Sequence, residues 1–157
     1  MLNGPVAFWI YGVKGVYPEF QPKDVLSEKA LAIFAASVKD GCSAASGAFA
    51  VLQSDEMLLP EWKKNASIQK FLARNQPGSQ PTFGPLLLVG GGDDVLFTES
   101  AGQRIFQRLC AVGGVVQRKV YPRLGHDPVV YGSLKDQIDW IAARFAGMPP
   151  PNDCPHG

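Results

Sequence analysis

The feature that most constrains this chain is the alternation of short apolar runs and amphipathic segments in its second half. Residues 85–90 (PLLLVG) and 115–121 (VVQRKVY) are typical of buried strands, and residues 99–111 and 134–145 carry apolar side chains at helical spacing. Short strands joined by helices favour a parallel sheet with right-handed crossovers. The pattern predicts an α/β fold, in which ligands bind beyond the C-terminal ends of the strands.

The first half of the chain is less regular. Val6–Tyr11 is an almost unbroken apolar and aromatic run, which predicts a further buried parallel strand. Residues 23–39 have the periodicity of a helix that begins near Asp24 or Ser27. Residues 48–73 predict irregular helical structure without strands.

The three cysteines, Cys42, Cys110 and Cys154, lie far apart and lack the spacing of metal ligands. One disulfide and a free thiol would fit an exported protein. Alternatively, all three cysteines are reduced and are either buried in the core or without a specific function. The Pro-rich tail at residues 148–157 is expected to be extended or disordered, and ordered only if Cys154 is bonded.

Composition excludes several classes of function. The 157 residues are 46% hydrophobic and 18% charged, with a formal net charge of +1 and no long basic run, so nucleic acid and anionic membrane surfaces are not expected partners. No apolar run approaches the roughly 20 residues of a membrane-spanning helix. The first residues do not have the pattern of a secretory signal peptide.

Two segments at predicted strand ends carry side chains typical of catalysis. The first is GGGDDVL at residues 90–96, which presents Asp93 and Asp94, and the second is YPRLGHDP at residues 121–128, which contains His126. An acid after one strand and a histidine after the next are two members of a catalytic triad in hydrolases of this fold. Taken alone, the aspartates could simply form a turn after the glycines, and His126 could be an ordinary loop histidine. The second histidine, His156, is expected to be solvated.

Several motifs together resemble a known family. YGVKGVYPEF, PLLLVGGGDDVLFTES, RLCAVGG, YPRLGHDPVV and DWIAARFAGMPPPNDC, which begin at Tyr11, are similar to the C-terminal half of the secretory lipases, the lipase A-like α/β-hydrolases of fungi and actinobacteria. The resemblance covers nearly the whole chain. It implies the C-terminal part of an α/β-hydrolase fold, with a parallel sheet and a helical cap insertion.

The resemblance assigns roles to particular residues. Asp93 is the implied triad acid, with Asp94 as the alternative, and His126 is the implied base. Residues 1–22 and 82–147 would form a partial hydrolase core, 23–81 the cap, and 148–157 a tail. Because alternate residues leaving a strand point in opposite directions, Asp93 is expected to bond His126 while Asp94 turns outward.

The family's nucleophile is missing from this pattern. Secretory lipases need a Gly-x-Ser-x-Gly elbow between an earlier strand and helix, upstream of the segment that matches Met1, and the oxyanion-hole residues also lie upstream. The nearest local imitation is GCSAA at residues 41–45, which makes Ser43 the candidate nucleophile. It lacks the final glycine and a preceding strand. Cys42 and Ser46 are weaker candidates still.

The resemblance implies hydrolysis of carboxylic esters such as triacylglycerols through an acyl-enzyme, in a secreted protein that uses no metal or organic cofactor. An alternative is a non-catalytic module that retains an acyl-sized pocket for binding or interaction. The expected partner is an ester or lipid substrate. If Val6–Tyr11 is a strand with an unpaired apolar edge, self-association or docking with an N-terminal hydrolase half is also expected.

Overall fold

The computed structural model describes residues 3–37 and 47–155. The chain divides into two compact units, Met1–Asn75 and Gln76–Gly157. The first unit is helical, and the second contains a small parallel sheet.

The first unit begins with helix α1, Asn3–Val16, so the predicted strand at Val6–Tyr11 is wrong. A short apolar run cannot be assigned to a strand or a helix by periodicity alone. In the structure Ala7, Ile10 and Val13 are almost fully buried, whereas Phe8 is about half exposed (47%). This spacing of three residues is that of one helix face packed on a core.

Short helices complete the first unit. A 3₁₀ turn at Pro22–Asp24 precedes α2, Glu28–Ser37, and the remaining elements are a helical turn at 47–49, α3 (Ser54–Met57), a 3₁₀ turn at Trp62–Lys64 and α4 (Ala66–Arg74). Ser27 caps α2, because its Oγ accepts a hydrogen bond from the amide of Ala30 at 3.2 Å. The largest fully buried side chains of this unit are Ile10, Val13, Phe20, Val25, Phe49, Met57 and Ile68.

The second unit follows the predicted order of elements, except that an unpredicted short helix begins at His126. Strand β1 (Leu86–Gly91) precedes α5 (Glu99–Ala111), and strand β2 (Val116–Tyr121) precedes α6 (His126–Gly132) and α7 (Leu134–Phe145). The strands pair in parallel, with Leu86 opposite Val116 and Gly91 opposite Tyr121. The prediction of an α/β chain with a parallel sheet is confirmed at this level. The described sheet has two strands.

Helices lie against both faces of this sheet. Leu109 of α5 packs with Val116 and the partly buried Leu86 and Leu88, which lie on one face. On the other face α7 reaches β2, where Asp136 forms an ion pair with Lys119 at 3.1 Å. The two faces therefore use alternate strand residues, as the pleat of a strand requires.

The C-terminal tail is extended and held in place. Cys154 forms a disulfide with Cys110 of α5, with the two Cα atoms 5.4 Å apart. The amide of Asp153 also donates to the carbonyl of Val116 at 2.8 Å. Of the two sequence-based alternatives for the cysteines, the one with a disulfide is therefore found. Cys42 lies outside the described residues.

Candidate functional site

The site is built where the turn after β1 meets the turn after β2. Gly91 and Gly92 make this close approach possible. A Cβ added at Gly91 would lie 2.3 Å from the carbonyl oxygen of Leu124, and a Cβ added at Gly92 would lie 2.6 Å from the carbonyl oxygen of Pro122. Any side chain there would collide with backbone. The amide of Asp93 donates to the Leu124 carbonyl at 3.1 Å, which joins the two turns directly.

Asp94 is the buried acid of the site. Its side chain is 3% exposed. One carboxylate oxygen, Oδ1, accepts hydrogen bonds from the amides of Leu96 and Phe97, each at 2.8 Å. The other oxygen, Oδ2, lies 2.9 Å from Nδ1 of His126. These three partners compensate for removing the carboxylate from water.

His126 is the first residue of α6, directly after the N-cap residue Gly125. Its side chain is 52% exposed. Nδ1 faces Asp94, and within the described part of the chain no group hydrogen-bonds to Nε2. A carboxylate on Nδ1 favours the tautomer in which Nε2 accepts a proton. The arrangement therefore presents an oriented, accessible base.

The expected contact between Asp93 and His126 is not found. Asp93 is exposed, and neighbouring Asp94 makes the hydrogen bond, which reverses the predicted orientation of the two acids. The expectation relied on the alternation of side chains in a strand, but β1 ends at Gly91 and the chain then turns. In that turn the amide of Asp94 donates back to the Gly91 carbonyl at 3.4 Å. Strand alternation no longer holds there.

The pairing changes the acidity of both groups. For Asp94, burial raises the pKa, but hydrogen bonds from the Phe97 amide, His126 and the Leu96 amide together outweigh it and leave the pKa below its ordinary value. For His126, the hydrogen bond to Asp94 and its negative charge raise the pKa, with a smaller contribution from Asp127. The acid therefore stays ionised and stabilises a protonated imidazole.

This coupling predicts a titration result. In Asp94→Asn we expect the pKa of His126 to fall, because the carboxylate that stabilises the imidazolium is gone. In Asp93→Asn we expect it to stay unchanged, since Asp93 does not contact the ring. NMR titration of the imidazole carbons measures both, with His126→Gln assigning the signal against that of His156, which lies outside the described residues. An equal fall in the two variants would contradict the pairing.

No nucleophile approaches His126 among the described residues. Asp94 is its hydrogen-bond partner there. The buried hydroxyl of Ser133 donates to the Val129 carbonyl at 2.6 Å and accepts from the side-chain amide of Gln137 at 2.7 Å, so it stabilises the junction of α6 and α7. The sequence candidates Ser43, Cys42 and Ser46 lie outside the described residues.

Sequence reasoning missed a second polar cluster beside the site. The Tyr121 hydroxyl donates to Asp136, which also pairs with Lys119. Burial, together with the Asp136 carboxylate, raises the pKa of Tyr121 to about 12. This cluster ties the end of β2, from which the His126 turn departs, to α7. The available signal was a strand with polar residues at alternate positions, followed by a helix with an acid in its first turn.

Exposed apolar side chains lie on the two segments that carry the pair. Val95 and Leu96 follow Asp94, and Val130 and Tyr131 follow His126 by one helical turn. These four side chains are between 44% and 82% exposed. Isolated exposed apolar residues are ordinary, but here four of them lie on the two segments that carry the acid and the base.

Within residues 3–37 and 47–155, no three His, Cys, Asp or Glu side chains are grouped so that they could hold a metal ion. Among the same residues, no helix has the length and apolar character needed to cross a membrane.

Comparisons with known proteins place this chain in no family. No family model matches it, and neither the curated proteins nor the solved structures include a match. The similarity to secretory lipases therefore stays a prediction that rests on the sequence motifs.

Proposed function

We propose that this chain supplies the acid and the base of a carboxylic ester hydrolase of the secretory-lipase type, with the nucleophilic serine outside the described residues. The observation that carries the proposal is the pair formed by buried Asp94 and exposed His126, joined at 2.9 Å beyond the ends of two parallel strands. In this role Asp94, the alternative to Asp93 in the sequence, is the acid.

The chemistry requires this combination. His126 would take a proton from a serine hydroxyl through Nε2 and pass it to the leaving alcohol, while Asp94 holds the ring and stabilises its charged form. Attack by the serine oxygen on the ester carbonyl gives an acyl-enzyme, which water then hydrolyses. These steps require no metal or organic cofactor.

The substrate class and compartment are part of the same proposal. The exposed apolar residues beside the pair, Val95, Leu96, Val130 and Tyr131, support an ester with an apolar acyl chain, such as a triacylglycerol. The disulfide between Cys110 and Cys154 supports secretion, because disulfides persist in oxidising compartments. By the resemblance, residues 23–81 would be the cap insertion and 82–147 part of the hydrolase core, whereas helix α1 packs on the core of Met1–Asn75 and does not form the core strand expected in residues 1–22.

Reconstitution tests the proposal. The chain alone is expected to hydrolyse p-nitrophenyl butyrate no faster than a heat-denatured control, since a base without a nucleophile leaves little catalysis. Addition of the N-terminal half of a secretory lipase, with its serine elbow, should restore hydrolysis and allow a fluorophosphonate probe to label that serine. His126→Ala in this chain should then abolish the restored activity.

Two outcomes would count against this reading. Hydrolysis by the chain alone, lost in Ser43→Ala, would place the nucleophile in this chain and remove the need for a second polypeptide. A mixture that binds a fluorescent fatty acid but neither hydrolyses ester nor reacts with the probe would support the alternative, a non-catalytic acyl-binding or interaction module. That alternative is favoured by the absence of a nucleophile beside His126 among the described residues.

A further inference from the structure

The segment that carries His126 is closed at its base by one side-chain hydrogen bond. Strand β2 ends at Tyr121, the turn at 122–125 and helix α6 follow, and α7 begins at Leu134. The Tyr121 hydroxyl donates to Asp136 in the first turn of α7, 15 positions further along the chain. The residues between them, including His126, therefore form a loop whose two ends are joined.

This closure depends mainly on Tyr121 and Asp136. A hydroxyl that donates to a carboxylate forms a charge-assisted hydrogen bond, which is stronger than one between neutral groups. Burial and the Asp136 carboxylate raise the pKa of Tyr121 to about 12, so the hydroxyl remains a donor at neutral pH. Lys119 adds an ion pair to Asp136, but the two side chains are 36% and 40% exposed, and exposed ion pairs contribute little.

Packing inside the loop transmits its position to the histidine. Leu124, two residues before His126, contacts the turn after β1, because its carbonyl accepts from the Asp93 amide at 3.1 Å. The Leu124 side chain packs on Gly132 of α6, where an added Cβ would lie 2.4 Å from Leu124 Cδ1. Ser133, between α6 and α7, is fully buried. The turn, α6 and the start of α7 are therefore packed together.

The loop holds a contact that has little other support. The His126 ring is half exposed, and its one hydrogen bond within residues 3–37 and 47–155 joins Nδ1 to Asp94 at 2.9 Å. Asp94 is fixed on its own side by the amides of Leu96 and Phe97. A hydrogen bond weakens steeply when its geometry changes. The alignment of the pair therefore depends on where the loop holds the histidine backbone.

We propose that Tyr121 and Asp136 are positioning residues for His126, because their hydrogen bond closes the loop and keeps Nδ1 within reach of Asp94. They act through the backbone and packing of the loop, since the hydrogen bond of the His126 ring goes to Asp94. The effect on the histidine can be measured in this chain alone. A consequence for ester hydrolysis rests on the proposed function.

Tyr121→Phe tests the hydrogen bond without changing any charge. The phenylalanine keeps the ring but cannot donate, so the contact with Asp94 is formed for less of the time. Asp94 and, more weakly, Asp127 are the carboxylates that raise the pKa of His126. We expect NMR titration of the full chain to show a fall of this pKa towards its ordinary value. Amide exchange in β1 and β2 verifies that the sheet is intact.

Asp136→Asn and Asp139→Asn form a matched pair that also tests the role if Tyr121→Phe does not fold. Both remove one negative charge from α7, but Asp139 pairs with Lys135 of the same helix. We expect the pKa of His126 to fall more in Asp136→Asn. In Tyr121→Phe/Asp136→Asn the fall should be smaller than the sum of the two single falls, because both changes weaken one bond.

Ester hydrolysis by the mixture with the N-terminal lipase half is the second measurement. In Tyr121→Phe we expect kcat to fall by about 10- to 100-fold with little change in KM, because a misaligned base slows the chemical step. An unchanged pKa of His126 in Tyr121→Phe, or equal falls in Asp136→Asn and Asp139→Asn, would overturn the positioning role. A lowered pKa of His126 without hydrolysis in any mixture would support the positioning role and contradict the hydrolase function.

Discussion

Asp94→Asn is expected to reduce kcat of the reconstituted hydrolase by about 10⁴-fold, the size of the effect known for the buried aspartate of a serine-protease triad. The asparagine keeps the shape of the side chain but can stabilise neither the proton-accepting tautomer of His126 nor the imidazolium that forms in the transition state. KM should change little, since Asp94 is buried beneath the histidine and is not one of the exposed apolar residues on these segments.

Asp93→Asn is the matched control for this measurement. It removes the same charge one residue earlier, from an exposed position that does not contact His126. We expect kcat to stay within about threefold of the unchanged protein, as for most surface substitutions. Ester hydrolysis by both variants, each mixed with the same N-terminal lipase half, decides between the acids. A large loss in Asp93→Asn with activity retained in Asp94→Asn would restore the assignment made from sequence.

Removal of the disulfide is expected to lower the free energy of unfolding of the second unit by about 2–4 kcal/mol in Cys154→Ser. The bond joins residues 44 positions apart, so it restricts the unfolded chain strongly. It also holds Asn152 and Asp153 on the β2 edge, where they satisfy backbone groups of the strand. Both contributions are lost together.

Native-state amide exchange at β1 and β2 measures this effect on the second unit alone. Cys110→Ser should have the same effect as Cys154→Ser, and the double variant should be no less stable than either, because each change breaks the same bond. Cys42→Ser removes a thiol that is not part of the bond and provides the control. Equal exchange rates in Cys154→Ser and the unchanged chain would contradict the stabilising role of the tail.

The second half of the chain could be predicted because its signals are local. The apolar run at residues 85–90 and the β-branched run at 115–121 lie between glycine-rich turns, and the structure has strands at Leu86–Gly91 and Val116–Tyr121. The predicted helices at 99–111 and 134–145 have the observed bounds. Periodicity and turn residues act within a few positions, so a single sequence contains them.

In the first half of the chain, local sequence patterns were not sufficient to predict the secondary structure. Val6–Tyr11 is apolar enough for a buried strand or a buried helix, and only its packing on the core of Met1–Asn75 decides for helix α1. The expectation of an unpaired edge at this segment fails with it. The open edge of the described sheet belongs to β1 instead, a fact that depends on strand order and on the path of the tail.

Two acids after β1 and a histidine after β2 could be predicted from the sequence, because strand ends and glycine turns are local features. Which of the two acids contacts the histidine depends on how the chain packs. The chain turns at Gly91 and Gly92 against the carbonyls of Leu124 and Pro122, and this close approach directs Asp94 inward to His126 while Asp93 stays in solvent. The contact joins two turns that are distant in sequence, so its geometry depends on the packing of β1 against β2.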